Sequence, residues 1–407
     1  MSGLQYLVGS DYLLACLIPL VLLVLSIQVL GTPRDLLDII FGDAQKGVPG
    51  YFSVQRAAAS YAQYAPLSKR ELAAMRVSYK RLPWAHKRIG YDLGYTKKLA
   101  RLEESIHTNA SVTEAIASLA REQFPEHFLN PSLLSADVSG DLSRVRESLK
   151  HFVRDWSEEG REERQRIFGP ILEVLKAVAP ADRERMRVLV PGSGLGRLAW
   201  EVSQLGFRTT ANELSFFMNL AFRFLLSDKH TQRLNQHVLQ PYASWFSHQR
   251  SSDALFRPVS FPDALPRLSD RLTIAEADFL SLRPPHDADA PEDPPGYDFI
   301  VTLFFIDTSL NAIETLEHIH TLLRPGGKWI NLGPLLWTGG GQAAVELSLE
   351  EVLKLADMVG FTIMGENGEH VPDRERRRTV ECEYTADKTA MMRWLYQAEF
   401  WVARKAR

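Results

Sequence analysis

Three glycines at alternating positions in "RVLVPGSGLGRLAWEV" (187–202) raise the first chemical question. Gly192, Gly194 and Gly196 let the backbone bend tightly and approach a ligand closely. A helix beginning near Gly196 would turn its N-terminal dipole toward a negative group. A dinucleotide loop wants G-x-G-x-x-G, but Arg197 stands at the sixth position. The G-x-G-x-G spacing is closer to a loop that binds S-adenosylmethionine (SAM). Glu213 in "TTANELS" ends the next strand, where a carboxylate accepts from both hydroxyls of a ribose. That serves SAM and NAD alike. Asp278 in "EADFLSL" follows the third strand, placed to accept from an adenine amino group while Phe279 covers the ring. Each feature also has an ordinary reading: a structural turn, a helix-start acid, an N-cap.

Residues like these need a sheet that delivers them to one edge. From Arg187 the pattern alternates strand and helix, which implies a parallel sheet covered on both faces. Strands are expected at "RVLVPG", "RTTANE", "LTIAEAD", "YDFIVTLFFI" and "KWINLG", then "FTIMGEN", "TVECEYT" and "AEFWVARK". Loops are expected at 246–270 and at "RPPHDADAPEDPPG". The turn "LLRPGGKWINLGP" and a closing antiparallel strand pair suit a seven-stranded methyltransferase better than a dinucleotide dehydrogenase. The expectation is an α/β fold: a seven-stranded class I SAM-dependent methyltransferase (Rossmann-like) domain at 146–407. Residues 32–145 form a helical region before it, with periodic stretches between 50 and 128.

The 407 residues carry a net charge of −3, which gives no field for a general nucleic-acid binder. Two cysteines, Cys16 and Cys382, make no disulfide framework, and no Cys/His cluster suggests zinc. Residues 12–30 hold no charge, near the length of a membrane span. No Lys or Arg precedes them, so a cleaved leader fits poorly. The expectation for residues 1–31 is a hydrophobic anchor. Arg34, Lys46 and Arg56 on its far side keep the bulk of the chain cytoplasmic. The basic stretch 69–98 reads as a solvated face, with acidic partners or lipid heads as the alternative.

Several stretches in family order resemble the carnosine N-methyltransferases, SAM-dependent enzymes that methylate a histidine imidazole. They are "FVRDWSEEG", "PGSGLGRLAWE", "NELSFFMN", "VSFPD", "FFIDTSLN", "LRPGGKWINLGPLLW" and "YTADKTAMM" with "FWVARK", across most of 146–407. The resemblance implies that Arg154 pairs with the methionine carboxylate of SAM. His151 stands where relatives usually carry Gln. Gly192 and Gly194 would face the cofactor, Glu213 its ribose, and Asp278 with Phe279 its adenine. Asp307 would grip the imidazole from the crevice edge of the sheet, its bland alternative being a helix N-cap. Asn311 and Tyr384 would complete the substrate pocket. Relatives usually place Tyr-His after "GPLL", and here Trp337 and Thr338 follow. Thr338 keeps a hydrogen-bonding group but loses the ring. The resemblance further implies a homodimer through the N-terminal helices and allows a nuclear location.

The expected reaction is in-line attack by a neutral imidazole nitrogen, with Asp307 accepting the N–H of the other nitrogen. The acceptor is carnosine-like or a peptidyl histidine. An unrelated acceptor stays open, as does a membrane-anchored SAM-binding module without catalysis.

Overall fold

A computed structural model describes residue 50 and residues 52–128, 140–286, 294–337, 343–365 and 371–406. The stretch 12–30 and Thr338 lie outside the described residues. Among those described, no helix is long and apolar enough to cross a membrane.

The first layer is helical: α1 (Val54–Ala62), α2 (Tyr64–Lys80), α3 (Trp84–Asp92) and α4 (Tyr95–Gln123). Next come α5 (Leu142–Trp156) and α6 (Arg161–Lys176). Asp141 starts α5 by accepting from the Arg144 N–H at 3.0 Å. Val145, Leu149, Phe152 and Trp156 then recur at helical spacing and are buried.

The strands are β1 (Arg187–Pro191), β2 (Arg208–Asn212), β3 (His237–Leu239), β4 (Val259–Phe261), β5 (Leu272–Ala275), β6 (Tyr297–Leu303) and β7 (Leu323–Gly333). The chain ends with β8 (Phe361–Ile363), β9 (Arg378–Cys382) and β10 (Tyr396–Lys405). Helices α7 (Arg197–Gln204), α8 (Phe216–Leu226), α9 (Ala312–Leu322) and α10 (Leu349–Val359) lie between them.

The main sheet runs β5-β2-β1-β6-β7-β10-β8, with β9 also paired to β10. It therefore has eight strands, one for each of the eight segments expected from the sequence. The first five are parallel, while β10 is antiparallel to β7, β8 and β9. This is the class I methyltransferase order, with the antiparallel strand inserted late. The strand order reverses beside β1, which opens a crevice at the carboxyl ends of β1 and β6. Register aligns those ends: Pro191 pairs with Asn212, and Asn212 with Ala275. The residues after β1, β2, β5 and β6 are thus delivered to one edge. β3 and β4 form a separate antiparallel pair, and β4 falls where a loop was expected.

No break separates the helical region from the sheet at 145/146, because α5 runs through that point. Helices on both sides share one hydrophobic cluster with β1, β2 and β6. Residues from Tyr51 to Arg407 form one compact unit.

Candidate active site

The glycine loop leaves β1 with positive φ at Gly192 (60°) and Gly194 (55°). An L-residue resists that conformation. At Gly192 an added Cβ would lie 2.5 Å from the Phe305 ring, so the glycine also permits close packing. At Gly194 it would meet only the Arg154 Nη2, at 3.8 Å. The backbone there is bare toward α5. Glu213, just past β2, ties this loop down: Oε2 accepts from the Gly194 N–H at 3.0 Å and Oε1 from the Ser215 N–H at 2.8 Å. Burial pushes its carboxyl above the ordinary value, with these N–H donors pulling the other way. A carboxylate offers about four acceptor positions, so beside the Gly194, Ser215 and Leu214 N–H groups capacity remains for a ribose hydroxyl.

The end of α5 is clamped over the loop. The Trp156 indole N–H donates to the Leu195 carbonyl at 2.8 Å. Arg164 donates to the carbonyls of Arg154 and Ser157 at 2.6 and 2.7 Å. Arg197 donates to that of Asp155 at 3.1 Å. Both arginines meet the Asp263 carboxylate at 2.5 Å, and the Asp263 N–H donates to the Trp156 carbonyl at 2.9 Å. This gives "VSFPD" a role that its sequence did not disclose. Asp263 joins the first turn of α7 to the C-terminus of α5.

Arg154 is held by this clamp, buried at 6% exposure. Its Nε and Nη2 donate to the two oxygens of Asp155 at 2.7 and 2.8 Å. Burial disfavours both charges, yet the pair holds Asp155 well below the usual carboxylate range and Arg154 above its own. One side of the guanidinium fork is therefore already used. Its Nη1 is buried without a hydrogen-bond partner, as is Nδ1 of His151 one turn earlier. Two unmatched polar atoms beside a bare glycine backbone fit the charged amino-acid end of SAM.

Tyr384 closes over this corner. Its ring lies 4.3 Å from the Arg154 guanidinium, 6.0 Å from the His151 ring, and stacks on Phe304 at 4.3 Å. Phe304 follows β6 with φ of 50°, uncommon for a bulky residue and typical of sites that hold a strained turn. Phe305 packs edge-on against Phe279 at 5.2 Å, and Phe279 is buried against His318. Asp278 is exposed and accepts from the Leu280 N–H at 3.0 Å. It caps a short turn, as its ordinary reading allowed.

Asp307 lies three residues beyond Phe304 and is 5% exposed. Oδ2 accepts from the Leu336 N–H at 3.0 Å. Burial pushes its pKa up to about 6, with backbone N–H groups opposing. Among the described residues no cation pairs with it. It is not the cap of α9: Asn311 is, accepting from the N–H groups of Ile313 and Glu314 at 3.2 and 3.4 Å. Asn311 thus uses its side-chain oxygen to start the helix. Tyr396 packs edge-on to Phe304 at 5.4 Å, and its phenol is held above the ordinary value by burial and the nearby Asp307. The structure joins Arg154, His151, Gly192, Gly194, Glu213, Phe279, Asp307 and Tyr384 through these contacts. Phe304, Phe305, Asp155 and Tyr396 belong to the same corner, and no motif in the sequence had given them a role.

A family model described as carnosine N-methyltransferase matches residues 132–407. A carnosine N-methyltransferase of Schizosaccharomyces pombe is 34% identical, over 84% of this chain and 92% of its own. The Mus musculus protein of that name is 35% identical, over 65% of this chain and 64% of its own length. Among solved structures, magnesium protoporphyrin IX methyltransferase from Synechocystis with bound SAH is 13% identical. It is matched over 65% of this chain and all of its own (100%), with a TM-score of 0.35. The chain belongs to the carnosine N-methyltransferase family.

Proposed function

We propose that the chain methylates an imidazole nitrogen of a carnosine-like dipeptide, with Asp307 orienting the ring. SAM supplies a methyl carbon on a sulfonium, open to in-line attack. Arg154 and His151 would hold its amino-acid end, Glu213 its ribose, and Phe279 with Asp278 its adenine. Neutral imidazole presents one lone-pair nitrogen and one N–H. Asp307 accepts that N–H, which fixes the tautomer and aims the other nitrogen away from the carboxylate. Tyr384 and Phe304 exclude water from the corner where the ring would lie.

The observation that carries this reading is the condition of Asp307: buried, at the crevice edge, and without a cation among the described residues. A carboxyl kept there gains most from a positive charge that develops during reaction, and imidazolium is such a charge. Asp307→Asn should slow transfer by about 10²–10⁴-fold while SAM binding stays within a factor of about two. The assay is incorporation of labelled methyl into carnosine and free histidine, with mass spectrometry to locate the added carbon. Unimpaired turnover would remove Asp307 from the mechanism. No labelled imidazole product from the unaltered chain would remove the reaction.

One observation favours a peptidyl histidine as a second acceptor. The loop from β9 to β10 carries Tyr384 at one end and leads to Tyr396 at the other. Between them Met391, Met392, Trp394 and Leu395 are each more than half exposed. Trp245 is exposed to the same degree on the loop whose His248 carbonyl accepts from the Met391 N–H at 2.7 Å. A dipeptide has no surface for such a rim, whereas a longer chain does. Histidine peptides with apolar flanks, assayed beside carnosine, decide between the acceptors by kcat/KM.

A further inference from the structure

Glu163 stands in the first turn of α6, beside Arg164 of the clamp, and is 7% exposed. A helix start favours a negative charge, but a buried carboxylate still needs donors. The Thr385 N–H supplies one, donating to Oε1 at 2.6 Å. Burial pushes the carboxyl above its ordinary value, while the Arg154 charge and the N–H groups of Thr385 and Ala386 oppose that. Glu163 therefore grips the chain immediately after Tyr384. Thr385 holds φ of 53°, a conformation that a β-branched residue keeps only when its surroundings impose it. Other anchors of this turn lie further along. Arg257 donates to Asp387 at 2.8 Å and to Thr389 at 2.7 Å, and also to Glu159 at 2.6 Å. Lys388 pairs with Glu162 at 3.0 Å.

The grip matters because Tyr384 lies over the Arg154 guanidinium, whose Nη1 is buried without a hydrogen-bond partner. One turn of α6 thus holds both parts of the corner. Arg164 takes the Arg154 carbonyl, and Glu163 takes the turn that carries the tyrosine. A ring kept over the fork excludes water, and a charge-assisted hydrogen bond is worth more in such a site. We propose that Glu163 is a positioning residue for cofactor binding: it fixes the turn after β9 and so keeps Tyr384 over Arg154. The inference rests on the reading that this fork takes the carboxylate of SAM. Glu163 acts through the tyrosine and not by contact with the cofactor. A direct effect of its charge on Arg154, or plain packing, would leave different signatures.

SAM affinity of the full chain, read by calorimetry, separates these roles. Glu163→Gln keeps the reach of the side chain and loses the charge, so affinity should stay within about threefold. Glu163→Asp keeps the charge and draws the acceptor back by one methylene, so affinity should fall about tenfold. Equal losses, or the reverse order, overturn the proposal. In a Tyr384→Ala background, itself weaker in binding, Glu163→Asp should cost less than about twofold more, because the two residues act as one unit. Additive losses overturn the proposal. So does a lowered melting temperature in Glu163→Asp with unchanged affinity, which is what packing alone would give. Amide exchange in the unaltered chain needs no variant: the Thr385 N–H should be protected, and rapid exchange there would show that the grip does not hold. An unaltered chain that binds no SAM removes the reading of the corner along with the inference. A chain that binds SAM, and is weakened by Tyr384→Ala but not by Glu163→Asp, removes the inference alone.

Discussion

At Asp307, chemistry and stability pull in opposite directions. Its folded pKa is about 6, raised by burial from 3.8. Between those values the folded state binds a proton that the unfolded chain has lost, so stability falls as pH rises through that window. At neutral pH the ionised carboxyl costs up to about 3 kcal/mol. Asp307→Asn should therefore raise the melting temperature at pH 7 by about 1–4 °C, a gain that vanishes near pH 4. Calorimetry at both values checks this, and an equal effect at both would mean burial is not the cause. Activity should fall as pH drops through about 6, because the carboxylate that accepts the N–H is lost. Asp307 was legible because an acid after a buried strand faces the crevice by topology alone, and Glu213 and the glycines for the same reason. Phe304 and Tyr396 were not, because their roles arise from contacts between segments far apart in the chain, and Asp155 was not, because an acid next to an arginine carries no spacing signal that it will grip it. Asp278 and Asn311 show how two readings can share one residue, since polar residues at helix starts resemble ligands in sequence and here also accept local backbone N–H groups.

At the level of elements, the glycine loop and α5 work as one unit. Gly192→Ala and Gly194→Ala both place an L-residue at positive φ, a cost of about 1–2 kcal/mol each. Beyond that shared cost the two variants should behave differently. At 192 the new methyl meets Phe305 at 2.5 Å and must displace a ring packed on Phe279, so the fold weakens further. At 194 the methyl enters space bounded only by Arg154, where the acid end of SAM would lie. Gly194→Ala should lose no more stability than that shared cost yet lose at least about tenfold in SAM affinity by calorimetry. The reverse ranking would mean that the cofactor does not approach Gly194. Long apolar runs made β1, β6 and β7 readable in sequence. The three-residue strands β3 and β4 are too short to show a period, so β4 passed for loop.

For the molecule as a whole, the family match begins at residue 132, but the core does not. α8 is apolar on nearly every side, and its Phe217, Leu220, Ala221, Phe224 and Leu225 are buried. Part of their cover comes from the helices that precede the matched region. The Tyr61 hydroxyl of α1 donates to the Phe217 carbonyl at 2.6 Å, and Phe124 packs edge-on to Phe216 at 5.5 Å. Val54, Ala57, Ile106, Ile116 and Leu119 join the same cluster. Exposing four large apolar side chains costs about 6–12 kcal/mol. That is comparable with the whole net stability of a domain, about 5–15 kcal/mol. A chain starting at residue 132 should therefore aggregate, or stay expanded with no cooperative melting transition. One starting at residue 51 should run as a compact species and bind SAM. Size-exclusion chromatography, near-ultraviolet circular dichroism and SAM titration on the two proteins decide the matter. A soluble, SAM-binding 132–407 fragment would mean that the sheet can bury α8 unaided and that the helical layer serves another purpose.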